Sequence, residues 1–434
     1  MGRRRETRVE RTMSQTLFDL PSPTGPLAHV DFTPTRKAGL ARLEAFLPQA
    51  GYAYARNRNT DRGPSDRSNV SALSPWIRRR VVTEEETLRA VLASHRFAAA
   101  EKFIQEVVWR TYWKGWLEHR PSVYARYEAE LAGLTDRLGI DADLRERWVR
   151  ACEGRTGLEC FDAWARELQE LGYLHNHARM WFASIWIFTL KLPWALGADH
   201  FHRHLIDADP ASNTLSWRWV AGLHTRGKHY LARAANIKEH TLGRFDPRGL
   251  LEEGAEALTE AYPLPAPSPP PPGERLSQRR IALLLHEEDL SPEGWSLQAD
   301  VVGICAPGGW IEGPADRPAA RFSRGALEDA LTRSSAGFGV AAEAPDDVDA
   351  VVGWALGLGV SEIATAWAPV GPLASRIGAL SARLAERGVR LVRLRRAFDD
   401  RAWPHATAGF FRLRERIPGL LAALGEDGAQ IDLK

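Results

Sequence analysis

Residues 261–275 read Ala-Tyr-Pro-Leu-Pro-Ala-Pro-Ser-Pro-Pro-Pro-Pro-Gly-Glu-Arg. Proline has no amide donor and a fixed φ, so neither a helix nor a central strand can absorb this run, and it stays extended. The 434-residue chain is therefore read as two folded units joined by a Pro-rich linker over 261–278. The hydrophobic pattern changes across it. Before the linker, apolar residues recur at helical spacing over 86–97, 100–118, 160–171, 174–190, 197–206 and 210–220, and again at Leu40, Leu43, Phe46 and Leu47. Strand signals are sparse there, which predicts an all-helical domain over 31–260. Behind the linker, the short apolar runs 281–285, 301–305, 363–367 and 391–394 alternate with amphipathic stretches near 325–333, 346–357 and 371–387. Strands alternating with helices predict a small α/β domain with a parallel sheet over 279–400. A C-terminal helical segment follows in 401–434, with its helix at 408–423, and residues 1–30 read as a flexible tail. The fold class expected is mainly α.

Composition narrows the function classes. Apolar residues make up 44% and charged residues 26%, as in globular chains. No run of about 18 apolar residues occurs, so no membrane span is expected. The opening Met-Gly-Arg-Arg-Arg is not followed by an apolar stretch and is not a secretory signal. A net charge of +2 neither demands nor excludes nucleic acid. Cys152, Cys160 and Cys305 show no Cys-x-x-Cys spacing, which argues against a disulfide framework or a structural zinc and fits a reducing cytoplasm. Three thiols are also one short of a four-thiolate iron–sulfur cluster. No metal is assigned, because no His, Asp and Glu set has metal-ligand spacing.

Sixteen Trp are the compositional anomaly, and most fall between Trp76 and Trp219. Most serve as core filler, so a special role applies only to named positions. Segment 207–219, Asp-Ala-Asp-Pro-Ala-Ser-Asn-Thr-Leu-Ser-Trp-Arg-Trp, joins two acids, an amide and two indoles. Glu106, Trp109, Arg110 and Trp113 share one helical face. That face reads equally as an internal Glu–Arg pair shielded by indoles or as a pocket wall. Asn176, Arg179 and Met180 share a second face, where Arg179 needs an anion, and Asp207 is a suitable one. Ser71-Ala-Leu-Ser-Pro-Trp reads as a capped helix start, which favours an anion only weakly.

Taken together, these elements, with Glu153-Gly-Arg-Thr-Gly between them, resemble the photolyase/cryptochrome family over about 34–245, most closely the cyclobutane pyrimidine dimer photolyases. The resemblance implies that the helical domain binds FAD. It implies cofactor contacts from Tyr54, Ser71, Leu73, Ser74, Arg110, Arg179, Asp207, Asp209 and Asn213, with Asn213 facing flavin N5. It implies a lesion pocket of Glu106, Trp109, Asn176, Met180 and Trp219, in which an extruded dimer is stacked and hydrogen-bonded. Trp217 and Trp194 match the first two members of an electron-transfer chain. The usual third position falls near Asp141, and Trp148 is a substitute.

The implied activity is blue-light-driven repair of UV-damaged DNA by a cytoplasmic, monomeric deoxyribodipyrimidine photolyase. Reduced FAD would give an electron to a flipped cyclobutane dimer and receive it back. The alternative is a cryptochrome-like photoreceptor without repair, and a third reading is a helical DNA-binding protein with a degenerate flavin site. The departures are specific. The family's N-terminal antenna domain is missing, and the unit behind the linker is read as a rearranged counterpart, which leaves the antenna chromophore open. Val70 replaces a loop Thr, Phe103 a polar or indole contact near the FAD phosphates, and His177 a DNA-facing Arg.

Overall fold

The computed structural model describes residues 30–311 and 313–426. The tail expected over 1–30 therefore lies outside the described residues except for Val30, as do residues 427–434. Helices fill the first half: α1 (Arg36–Phe46), α2 (Tyr52–Asn57), α3 (Ser74–Arg78), α4 (Glu84–Ser94), α5 (Phe97–Glu118), α6 (Pro121–Ile140), α7 (Ala142–Cys152), α8 (Glu159–Leu171), α9 (Asn176–Ser184), α10 (Trp194–His204), α11 (Pro210–Ala221) and α12 (Ala234–His240). Local chemistry sets their ends. Thr83 and Glu86 form a reciprocal capping box at α4, with backbone bonds of 3.1 and 2.9 Å. Asp209 caps α11, Pro210 opens it, and Gly222 closes it at φ +86°.

Helix α5 is the axis of the domain. Its 22 residues span about 33 Å, and most of its length is buried. Gly115 lets the chain at Trp403 come close, since a Cβ there would lie 2.7 Å from the Trp403 ring. One long helix was expected over 174–190. Instead α9 stops at Ser184 and residues 185–189 form a π turn, with the Leu190 amide donating to the Ile185 carbonyl at 2.8 Å.

The second half contains β1 (Arg280–Leu284), β2 (Asp300–Cys305), α13 (Pro318–Phe338), β3 (Ala342–Glu343), α14 (Val348–Leu358), β4 (Glu362–Ala366), α15 (Pro372–Ala385) and β5 (Arg390–Leu394). The sheet is parallel, in the order β3-β2-β1-β4-β5. Four strands match the apolar runs. The two-residue β3 had no readable pattern. The strand order reverses between β1 and β4, where open α/β sheets usually place a ligand crevice. Here His286 and the residues that follow it enter that region, with the His286 Nε2 3.0 Å from the Ala366 carbonyl.

The C-terminal helices α16 (Ala397–Ala402), α17 (Phe410–Arg414) and α18 (Ile417–Glu426) return to the helical domain. Phe398, Leu413, Ile417 and Leu421 are buried in the same core cluster as α4 and α5. The Pro-rich segment forms no described helix or strand and is strapped down. The Ser268 amide donates to the His119 carbonyl at 3.0 Å, and the Arg120 Nε to the Pro265 carbonyl at 3.1 Å.

Complementary charge joins the two halves. Arg78, Arg79 and Arg80 at the end of α3 are all buried. Facing them is the run Glu287, Glu288 and Asp289 behind β1. Arg78 meets Glu288 at 2.8 Å, Arg80 meets Asp399 at 2.6 Å, and Asp289 takes a two-pronged pair from Arg396 at 2.6 and 2.8 Å. The Leu290 amide donates to the Arg79 carbonyl at 2.9 Å.

Glu118, at the end of α5, also lies on this junction and accepts the Val370 amide at 2.7 Å. Burial pushes its carboxyl up to about 7, against the pull of the Val370 and Trp367 N–H groups. A folded-state pKa above the unfolded value of about 4.3 means that the folded chain holds a proton the unfolded chain has released. Stability is then fully present below the unfolded value and falls as pH rises towards 7. Glu118→Gln should match the wild-type denaturation midpoint near pH 4.5 and exceed it at pH 8. An equal pH dependence in both proteins would contradict this assignment.

Candidate flavin site

The site is built on the first turn of α11. Asp207 is buried and receives both arms of Arg179 from α9, at 3.0 and 2.9 Å, as well as the Ser74 hydroxyl. Burial opposes its charge, but Arg179 and Ser74 outweigh it and hold the carboxyl below its ordinary range. Asp209 uses Oδ1 to cap Ser212 N at 2.7 Å. Its Oδ2 faces Lys114 at 3.3 Å and Arg110 at 3.7 Å. Burial again works against the charge, and Lys114, Arg110 and Arg78 keep the group ionised far below the usual range. Asn213, one turn on, is buried and donates to the Ala198 carbonyl at 2.7 Å. That leaves the amide oxygen and one N–H for another partner.

Of the two readings of the α5 face, the internal Glu–Arg pair does not form. Glu106 pairs with Arg58, from the loop after α2, while Arg110 turns to Asp209. Arg58 also lies beside the Tyr54 phenol, whose ring packs edge-on against Phe103 at 5.2 Å. Tyr54 is thus a buried support for Arg58. Burial raises the Glu106 carboxyl above its ordinary range even with Arg58 beside it. Glu106, Trp109, Arg110, Arg179, Met180 and Trp219 are half-buried and Asn176 is exposed, whereas most residues around them are buried. These are the partly open positions on α5, α9 and α11, three helices whose neighbouring residues are mostly closed off. Trp109 stacks on Phe410 at 3.7 Å and 13°, and Trp219 on Tyr230 at 5.9 Å and 23°.

The loop before α3 corrects a second expectation. Neither Ser71 nor Ser74 caps the helix: the cap position is Leu73, without a side-chain bond. The Ser71 hydroxyl accepts the Leu73 amide at 3.4 Å and its carbonyl is gripped by Arg42 Nε at 2.7 Å, while Ser74 is drawn to Asp207. Ala72 takes φ +51° inside this clamp.

The indoles are placed as follows. Trp217 is buried against Phe201 at 5.1 Å and Trp186 at 6.2 Å, and Gly197 lies so close that a Cβ would meet its ring at 2.3 Å. Trp194 lies near Glu130, sits under the Arg218 guanidinium at 5.6 Å, and packs on Tyr127 at 5.5 Å. Tyr127 in turn meets Tyr124 at 5.6 Å. Asp141 is the cap of α7, and Trp148 has no ring partner among the described residues. The neighbour of Trp194 is therefore a tyrosine rather than the expected indole.

Three polar atoms bear on what this site can hold. Arg110 Nη1, Asp209 Oδ2 and Ser212 Oγ are buried without a hydrogen-bond partner. Such atoms are rare in native cores, and each costs about 1–3 kcal/mol. Here a donor, an acceptor and a hydroxyl cluster at one helix start. A ligand with ring N–H groups, hydroxyls and phosphates fits that set, and a flavin nucleotide has all three. No described group of three or more His, Cys, Asp and Glu could hold a metal, and no described helix is long and apolar enough to cross a membrane.

Comparisons with known proteins agree with this chemistry. Residues 103–251 match the family model described as the FAD binding domain of DNA photolyase. Cryptochrome DASH of Idiomarina loihiensis is 27% identical over 226 residues, covering 51% of this chain and 48% of that protein. A deoxyribodipyrimidine photo-lyase of Thermus thermophilus is 31% identical over 256 residues, covering 58% and 57%. A crystal structure of a class III photolyase from Agrobacterium tumefaciens aligns at a TM-score of 0.39 and 27% identity over 48% of this chain and 42% of that one, too low to support an argument by itself. The chain spans about half the length of the curated relatives it matches. Residues 103–251 are thus similar to the FAD binding domain of DNA photolyase, which is consistent with a flavin cofactor at this site.

Sequence reasoning missed Arg58, Lys114, Tyr127, Glu288 and Phe410. Lys114 had a readable signal, because it lies four residues after Arg110 on the same face. The others carry none, since each meets its partner only through tertiary packing. Arg179→Met would leave the buried Asp207 with the Ser74 hydroxyl alone and should cost about 3 kcal/mol. Urea unfolding measures this, and a loss below about 1 kcal/mol would contradict the pairing.

Proposed function

We propose that this chain is a light-driven repair enzyme, a deoxyribodipyrimidine photolyase acting on cyclobutane pyrimidine dimers in UV-damaged DNA. The observation that carries the reading is Glu106. It is a carboxyl with a raised pKa, steadied by Arg58, on the same helical face as Trp109 and Arg110, whose buried Nη1 makes no hydrogen bond. FAD, bound and reduced, would supply the light-excited electron that splits the dimer. Asp207 and Asp209 would hold the cofactor through carboxylates that Arg179, Lys114 and Arg110 keep charged. Ser71, Leu73 and Ser74 would meet its phosphates, and Asn213 would present its amide to the flavin ring.

Glu106 would accept N–H bonds from the flipped bases, and Asn176, Met180, Trp109 and Trp219 would enclose them. The protein's contribution is position and preset charge rather than bond chemistry. Trp217 and Trp194 would return the cofactor to its reduced state, with Tyr127 as the next group outward. The α/β unit is read as a rearranged counterpart of an antenna domain, and the whole as a cytoplasmic monomer.

One observation favours the second reading, a photoreceptor without repair. Phe410 stacks face to face on Trp109 at 3.7 Å and covers an indole face that a lesion would use. Illumination of the reduced holoprotein with a dimer-containing oligonucleotide separates the two. Repair predicts light-dependent recovery of intact pyrimidines and none in the dark, while no recovery in either condition sinks the repair claim. Within the repair reading, Glu106→Gln should lower the quantum yield several-fold, and an unchanged yield would remove Glu106 from the mechanism. Phe410→Ala should tighten binding of the damaged oligonucleotide by uncovering Trp109. Weaker binding would show that Phe410 belongs to the pocket wall.

A further inference from the structure

The residues behind β1 reach the α11 acids through two cations. Glu288, 5% exposed, takes Lys114 on Oε2 at 3.0 Å and Arg78 on Oε1 at 2.8 Å. Each cation also grips the acid segment: Lys114 lies 3.3 Å from Asp209 Oδ2, and Arg78 Nε donates to the Ala208 carbonyl at 2.6 Å. All the side chains are 5% exposed or less, so water cannot compensate for any of them. Asp209 is fixed in rotation by its cap bond to Ser212 N, which leaves Oδ2 as the oxygen without a hydrogen-bond donor.

We propose that Glu288 is a positioning residue through which the α/β unit sets the charge and aim of Asp209 in the flavin site. The inference rests on the assignment of Asp209 to FAD made above. The physical sequence is short. Burial works against the Lys114 charge, but Glu288 and Asp209 outweigh it and hold its pKa above the ordinary value. Without Glu288, Lys114 keeps only Asp209 and Arg78 only Glu287 at 3.7 Å, the two cations repel each other in a dry interior, and Lys114 sheds its proton. A neutral Lys114 no longer holds Asp209 ionised, and the segment loses its grip at Ala208. The helical domain alone therefore lacks one charge of its own cofactor site.

Glu287 provides the control. It lies near Arg78 at 3.7 Å and Arg79 at 3.8 Å, and accepts the Ser323 hydroxyl at 3.1 Å. It joins the two units without meeting Lys114 or the acid segment.

The test is an FAD titration of the full chain, followed by flavin fluorescence, on Glu288→Gln, Glu288→Asp, Glu287→Gln and Asp209→Asn. Glu288→Gln should weaken FAD binding about tenfold and make it pH-dependent in a way wild type is not, because Lys114 then titrates. Glu288→Asp should recover most of the loss. Glu287→Gln should lower the melting temperature and leave FAD affinity within about twofold. Equal losses of affinity in the 287 and 288 variants would reduce Glu288 to a docking contact and overturn the proposal. If Glu288→Gln does not fold, affinity in Glu288→Asp decides: a pH-dependent loss supports the relay, and wild-type behaviour overturns it. Wild-type affinity in Asp209→Asn would instead overturn the flavin-site assignment. A weak Asp209→Asn beside an unaffected Glu288→Gln would overturn only the relay.

Discussion

Asp209 stays charged at a fully buried helix start because Lys114, Arg110 and Arg78 surround it. Much of the chain's architecture follows from that requirement. A carboxylate without water is tolerable only when cations of fixed position replace its hydration, and those cations need anions of their own. Arg110 and Lys114 come from the long axis α5, Arg78 from α3, and the balancing Glu288 from the far side of the Pro-rich segment. Three stretches distant in sequence are thus tied to one acid. Asp207 repeats the logic two residues earlier, with Arg179 and Ser74 as its partners. An ordinary helical bundle has no need of such a cluster, and the buried atoms in it that make no hydrogen bond fit a bound polar ligand.

Regular structure was legible wherever a period or a cap was strong. The apolar runs 281–285 and 363–367 lie almost on β1 and β4, and the Asp-Pro start of α11 was visible as a helix beginning near 210. Legibility failed where tertiary contacts decide. The two-residue β3 is held by β2 rather than by its own pattern. The π turn at 185–189 interrupts a sequence that reads as continuous helix. Ser74 would cap a free helix, but a buried carboxylate is a stronger attractor for its hydroxyl than a backbone amide. In the site, Arg179 was assigned to Asp207 because a buried guanidinium needs an anion. The sequence leaves the partner of Glu106 open between two readings, and Arg58 is not among the candidates because it approaches from a loop whose course no local signal fixes. The runs 78–80 and 287–289 are visibly opposite in charge, but only docking of the two units shows that they meet.

The same packing shapes the functional reading. The wall of Glu106, Trp109, Met180 and Trp219 stays open to solvent while the acids behind it are sealed, so a ligand would meet fixed charge at depth and adaptable surface at the mouth. Phe410 narrows that mouth from a segment that returns only after the α/β unit. In the proposed reading, the stack on Trp109 and the charge balance beside Asp209 both involve residues that follow the Pro-rich segment. In the proposed electron path, by contrast, the groups precede that segment: Trp194 packs on Tyr127 rather than on a third indole. A tyrosine must lose a proton when it is oxidised, so this step depends on a nearby base as well as on distance.

The direct measurement is the ionisation of Asp209. In protein carrying 13C-labelled aspartate, with Asp209→Asn to assign the signal, carbon NMR follows the carboxyl across pH with and without FAD. The charged lattice predicts a carboxylate that remains ionised to the lowest pH at which the chain stays folded and whose resonance shifts when FAD is added. A carboxyl that titrates near the ordinary value of about 3.9 and is indifferent to FAD would contradict the account.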